Sequence, residues 1–201
     1  IFTTMNKNIY LLSLAAALLF AHGCGQRDAS SVSPAITRDA EIEAKVEKVL
    51  KGMDLTEKVG QMIQLTSSTV TVQGKPEIDP EKLQKVIGEM KVGSILNTFA
   101  DVAQSRELTA QLVSEIQKKS MEEIGIPCIY GLDMIHGASY LSDGTFFPQE
   151  INLAATFNRE YARAMGEAMA YETRGAMVPW VFSPVMDLGR NPVWPRHWES
   201  F

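Results

Sequence analysis

Two short segments gather the side chains capable of chemistry. The first is Gly131-Leu132-Asp133-Met134-Ile135-His136-Gly137, which follows the apolar run Ile126-Pro127-Cys128-Ile129-Tyr130. A carboxylate where a strand finishes, flanked by glycines that permit close backbone approach, can accept two hydrogen bonds from a neutral polyol. The same spacing also suits Asp133 as a cap on the turn that follows, with His136 holding the loop through hydrogen bonds. The second segment, Asp187 to Glu199, places two Arg, two Trp, one His and two carboxylates within 13 residues. Trp faces stack on the apolar side of a sugar ring, and an Arg fork donates to adjacent hydroxyls. The alternative is an ion-pair network, with Arg190 or Arg196 on Asp187 or Glu199, that pins a long loop. His136 and His197 form no metal-ligand spacing such as H-E-x-x-H, and neither a metal nor a cofactor is expected.

These segments need elements to hold them, and the apolar spacing from Arg38 onward supplies helices alternating with short strands. Ile42, Val46, Val49 and Leu50 recur at helical spacing over Asp39–Lys51, with Gly52 as the stop. Asp54 and Glu57 make a capping pair that opens a helix through Val59, Met62 and Ile63. Asp79-Pro80 repeats the start signal. Val92–Leu96 reads as a first buried strand, followed by a helix from about Ala100 to Lys119 with Leu108, Leu112, Val113 and Ile116 on one face. Pro127–Leu132 is the second strand. Asn158 caps a helix to Arg174, and Val178–Val185 is the third strand. Apolar strands separated by helices predict an α/β fold with a parallel sheet buried on both faces.

Its most economical form is a partial (β/α)8 TIM-type barrel, the N-terminal portion only. A whole barrel takes about 250 residues, and residues 45–201 supply roughly half of one. With Glu199-Ser200-Phe201 following so soon after the third strand, the chain reads as truncated.

The composition is that of an ordinary globular protein: 201 residues, 45% hydrophobic and 21% charged, with a net charge of −5. Mild acidity argues against a nucleic-acid partner. Two cysteines, Cys24 and Cys128, exclude a zinc ribbon and a disulfide scaffold. Met5 is the expected start, which leaves residues 1–4 upstream. Lys7 and the 13-residue apolar run Ile9–Ala21 then have the form of a secretory signal, short of the roughly 20 residues of a bilayer span. The run ends in Ala21-His22-Gly23-Cys24, which resembles a bacterial lipoprotein signal. Residues 5–23 are thus expected to be removed and Cys24 to carry a lipid anchor, the alternative being a free thiol after ordinary cleavage. Residues 24–44 follow as the lipidated cysteine and a Ser-rich tether. Cys128 is expected to behave as a small buried hydrophobe.

At DLTEKVGQM from Asp54, GIPCIYGLDMIHG, FPQEINLAATFN and GRNPVWPRHWESF, the sequence resembles glycoside hydrolase family 3, in its β-glucosidase and exo-β-glucanase branch. The resemblance covers most of residues 45–201, with the motifs in order. It implies an N-terminal barrel-type domain followed by an α/β sandwich in a longer protein, which the lipoprotein-like signal would anchor in the periplasm or at the cell surface. It also implies an exo-acting retaining β-glucosidase that takes a β-linked glucoside or oligosaccharide. Asp133 matches the family's Asp that binds hydroxyls of the non-reducing-end sugar. Arg196 matches the Arg that ends the pattern R-D-P-R-W-G-R, which also holds that sugar. Here Asn191 replaces Asp, Val193 replaces Arg and Pro195 replaces Gly. The family's nucleophile Asp and acid/base Glu would both lie beyond Phe201, so no catalytic residue is assigned within this chain and the chain alone is expected to be inactive. The neighbouring readings are a β-xylosidase or β-N-acetylglucosaminidase of the same family, or a non-catalytic surface lipoprotein that binds carbohydrate.

Overall fold

The computed structural model describes residues 37–187 and 189–200. Cys24 and the expected signal segment lie outside the described residues. The chain divides into two units, Ile1–Val49 and Leu50–Phe201. Helix α1 (Ala40–Gly52) forms where its spacing predicts, so residues 40–44 are helical. Asp39 opens it, its Oδ1 accepting from the Glu41 and Ile42 amides at 2.9 and 3.1 Å. Its apolar residues Ile42, Val46, Val49 and Leu50 are all exposed.

In the second unit, α2 (Leu55–Gln61) starts with the expected capping box. Asp54 accepts from the Glu57 amide at 2.8 Å, and the Glu57 carboxylate accepts from the Asp54 amide at 3.0 Å. The helix does not run on through Ile63. It stops at Gln61, and the chain enters a strand that periodicity did not reveal, β1 (Gln64–Thr66). The cause is a close crossing of two backbones. A Cβ on Gly60 would sit 2.3 Å from the Met90 carbonyl, and the Gly60 carbonyl accepts from the Gly93 amide at 3.0 Å. Asp79 then caps α3 (Pro80–Leu83), which widens into a π-turn over Gln84–Glu89.

β2 (Ser94–Leu96) lies within the expected strand. α4 (Arg106–Glu123) starts later than about Ala100, because Ser105 is its N-cap, with the side chain accepting from the Leu108 amide. Residues Phe99–Asp101 form a separate 3-10 turn, with Ala100 and Asp101 in the left-handed region at φ 59° and 56°. β3 (Ile129–Leu132) is followed by α5 (Glu150–Ala155), and Asn158 caps α6 (Arg159–Gly175).

The last strand, β4, is only Trp180–Val181 rather than Val178–Val185. Phe182 still donates to the Leu132 carbonyl at 3.0 Å, but a cis Ser183–Pro184 bond follows. Pro184 has no N–H to donate, and the Val185 N–H goes to the Glu150 carboxylate.

The strands form one parallel sheet in the order β1-β2-β3-β4, with Leu65 beside Ile95, Ile95 beside Tyr130, and Leu132 beside Val181. This is the α/β architecture the sequence predicts. Ile95, Tyr130, Phe99, Ile87, Val113 and Ile116 are fully buried in the core. Phe99 stacks on Tyr130 with centroids 5.4 Å apart. Cys128 is 2% exposed, a packed thiol as its apolar run predicts.

Candidate functional site

All four strands point the same way, so the loops after them gather at one edge of the sheet. Strand ends are where a parallel sheet leaves backbone and side chains free to meet a ligand. Asp133 is the first residue beyond β3 and is exposed. It lines a cleft of about 220 Å³ with Asn97, Thr98, Asp101, Leu132 and Tyr140. The cleft wall after β2 is fixed from beneath. The Asn97 amide donates to the Gly131 carbonyl at 3.3 Å, and the Ser67 hydroxyl donates to the Thr98 carbonyl at 2.7 Å. The Tyr130 hydroxyl donates to the Asn97 carbonyl. The loop after β3 is tied to the start of α4 by Asp143, which accepts from the Arg106 amide at 2.9 Å and from its guanidinium at 3.3 Å.

Among the described residues no donor occupies the Asp133 carboxylate, so the expected alternative of a turn cap finds no bond here. Burial pushes its pKa up, the Arg196 guanidinium pulls it down, and Glu199 pushes it up again. The structure thus brings Asp133 and Arg196, which the sequence singled out separately, within electrostatic reach of each other. Arg196 lies in the long loop after β4, just before the 3-10 turn His197–Glu199. Its guanidinium donates to Glu199 Oε2 through Nε at 2.8 Å and through Nη2. Of the pairings open in the sequence, Arg196 with Glu199 is the one formed. Glu199 is buried, whereas the Arg196 side chain is 59% exposed. Asn191 shapes the preceding turn by accepting from the Val193 amide at 3.0 Å, and Trp198 donates to the Pro195 carbonyl at 2.9 Å.

The glycines beside Asp133 are required for packing. A Cβ on Gly131 would lie 2.5 Å from Phe182 Cζ. Gly137, at φ +81°, would place one 2.6 Å from the Thr145 carbonyl. The His136 ring stacks on Phe146 with centroids 5.3 Å apart. Its Nδ1 is buried with no partner among the described residues, and the His136 carbonyl accepts from the Phe147 amide at 2.7 Å. His136 thus holds the loop through ring stacking and a main-chain hydrogen bond.

Sequence reasoning passed over Glu150, the first residue of α5. It is 2% exposed, and its carboxyl accepts from the Val185 amide at 3.2 Å and from the Ser183 hydroxyl at 3.4 Å. Burial pushes its pKa up; those two bonds oppose this, and Glu199 adds to it. An isolated Glu at a helix start reads as solvated, and no local pattern marks it. Among the described residues no three His, Cys, Asp or Glu side chains group to hold a metal ion.

Comparison with known proteins gives one consistent result. The profile described as "Glycosyl hydrolase family 3 N terminal domain" matches residues 54–201. A lysosomal beta glucosidase of Dictyostelium discoideum is 34% identical over 165 residues, which cover 78% of this chain and 20% of that protein. A periplasmic beta-glucosidase of Salmonella typhimurium is 29% identical over 161 residues, 79% of this chain and 18% of that protein. Among solved structures, an exo-1,3/1,4-beta-glucanase from a Pseudoalteromonas species superposes with a TM-score of 0.69 at 26% identity. That match covers 82% of this chain and 20% of the other. The chain spans about a fifth of the length of the curated relatives it matches.

Proposed function

This chain belongs to glycosyl hydrolase family 3, and from that premise we propose that it is the first part of an exo-acting, retaining β-glucosidase. The observation that carries the reading is Asp133 at the end of β3, unbonded among the described residues, with Arg196 in electrostatic reach from the loop after β4. A carboxylate accepts hydroxyl hydrogens and a guanidinium donates to hydroxyl oxygens, so together they grip neighbouring hydroxyls of one sugar ring. The Trp194 and Trp198 rings in the same loop offer flat apolar faces. The sheet order, each strand pairing with the next in sequence, supports the first half of a (β/α)8 barrel. On this reading residues 45–201 are the opening part of the barrel domain.

Cleavage with retention needs a nucleophilic carboxylate and a second carboxyl group as acid/base, about 5–5.5 Å apart. We assign neither to this chain, because Glu199 is already committed to the Arg196 guanidinium and Glu150 is buried. Both are supplied by chain beyond Phe201 in a protein as long as its relatives. The full-length product should therefore release glucose from an aryl β-glucoside, while the 201-residue polypeptide should release none. Turnover by the short polypeptide, after controls for host enzyme, would refute this placement of the catalytic pair. Faster cleavage of an aryl β-xyloside or N-acetylglucosaminide by the full-length product would reassign the substrate. The leader similarly supports an envelope lipoprotein anchored through Cys24. Cys24→Ala should abolish membrane association or processing; unchanged fractionation and mobility would count against the anchor.

A further inference from the structure

We infer that Glu150 is a positioning residue: its buried carboxyl anchors the start of the loop after β4 and so sets where Arg196 stands opposite Asp133. This rests on the reading of Arg196 as a sugar-binding residue. A carboxyl group at 2% exposure is costly unless its oxygens are satisfied. Here both are spent on one short stretch, the Ser183 hydroxyl and the Val185 amide, at the point where β4 gives way to the cis Ser183–Pro184 turn. The other end of the same loop returns to the same helix. α5 packs against the turn His197–Glu199, and Glu199 holds the Arg196 guanidinium. Glu150 thus stands where the loop leaves the sheet, and its own helix supports the turn where Arg196 is held.

The charged neighbours make the arrangement specific. Glu199, from the 197–199 turn, acts electrostatically on Glu150 and is bonded to Arg196, which Asp133 and Asp187 also reach electrostatically. Burial and the nearby Glu199 push the Glu150 pKa up, while the Val185 and Ser183 bonds pull it down. The two carboxyl oxygens accept separately, Oε2 from the Val185 amide and Oε1 from the Ser183 hydroxyl. A glutamine side chain keeps an oxygen for the Val185 amide and offers its NH2 to the Ser183 oxygen, whereas an apolar side chain of equal volume can do neither.

The test uses the full-length enzyme with Glu150→Gln, Glu150→Met and Arg196→Ala. Glu150→Gln should keep kcat and KM for an aryl β-glucoside within about threefold, while Glu150→Met should raise KM about tenfold or more with a smaller change in kcat. In the Arg196→Ala background Glu150→Met should add less than about twofold, since what it positions has been removed. Hydrogen exchange should rise over 183–200 in Glu150→Met and stay unchanged over 129–132. Equal tenfold losses in both backgrounds, or unaltered exchange over 183–200, would overturn the inference. If Arg196→Ala left KM unchanged, or the wild type cleaved no glucoside, the functional reading would fall instead, and the exchange pattern would still decide whether Glu150 sets the loop. If Glu150→Met did not fold, Ser183→Ala paired with Glu150→Gln would carry the same exchange comparison.

Discussion

Among single residues, Asp133 carries the clearest prediction. Charge-assisted bonds from its carboxylate to two sugar hydroxyls are each worth about 1.5–3 kcal/mol. Asp133→Ala in the full-length enzyme should then cost about 3–5 kcal/mol in kcat/KM. Asp133→Asn keeps the shape but loses the charge that Arg196 stabilises. It should also lose most of the activity while leaving the melting temperature unchanged. Wild-type kinetics for Asp133→Asn would make Asp133 a structural residue. Cys128 makes the opposite kind of prediction, because burial pushes its thiol up to about 12. Its folded value lies above the unfolded value of about 8.5. Its contribution to stability is therefore full below about pH 8.5 and is lost as pH rises toward the folded value. Native protein near pH 8 should resist iodoacetamide at Cys128, and guanidinium should expose it. Rapid labelling of the native state, read by peptide mass, would contradict the packed-thiol description.

Among the elements, the starts of helices are set locally and their ends by what crosses them. The Asp54–Glu57 box satisfies two amides that α2 would otherwise leave unpaired. Asp54→Ala should therefore cost about 0.5–2 kcal/mol, seen as a lower chemical-denaturation midpoint. Gly60→Ala should cost more, although alanine is the better helix former. The added methyl would meet the Met90 and Lys91 carbonyls at 2.3 and 2.5 Å, which are backbone atoms that cannot rotate aside. An equal or smaller effect than Asp54→Ala would mean that the α2–β1 junction can relax. The two substitutions together separate a helix's own chemistry from the constraint placed on it by the chain that packs across.

Across the molecule, the four-stranded sheet presents β1 and β4 as edges among the described residues. An open parallel edge is a template for another chain. Large apolar side chains are also exposed in this unit, among them Met62 at 86%, Phe157 at 96% and Tyr171 at 78%. Residues 38–201 produced alone should therefore associate or precipitate, read by light scattering and size-exclusion chromatography. A monomer with a cooperative thermal transition would argue that this sheet is self-sufficient and that the half-barrel reading is wrong.

The features legible in the sequence are those that depend on neighbours within one helical turn. Asp54, Asp79 and Asn158 cap helices where they are expected, because a cap is a bond between a side chain and an amide two or three residues on. The parallel α/β class, the burial of Cys128 and the placement of Asp133 at a strand end were legible for a similar reason: an uninterrupted apolar run and the polar residue that ends it. Packing between distant segments made the other choices. Gln64–Thr66 leaves the α2 helical pattern to pair with β2 because its partners are backbone groups some thirty residues away. The same packing shortened β4 by drawing the Val185 amide to Glu150, and it chose Glu199 over Asp187 as the partner of Arg196. Periodicity assigns a side chain to a face, but which carboxylate meets which guanidinium, and which acid is buried, depends on how separate elements pack at one edge of the sheet.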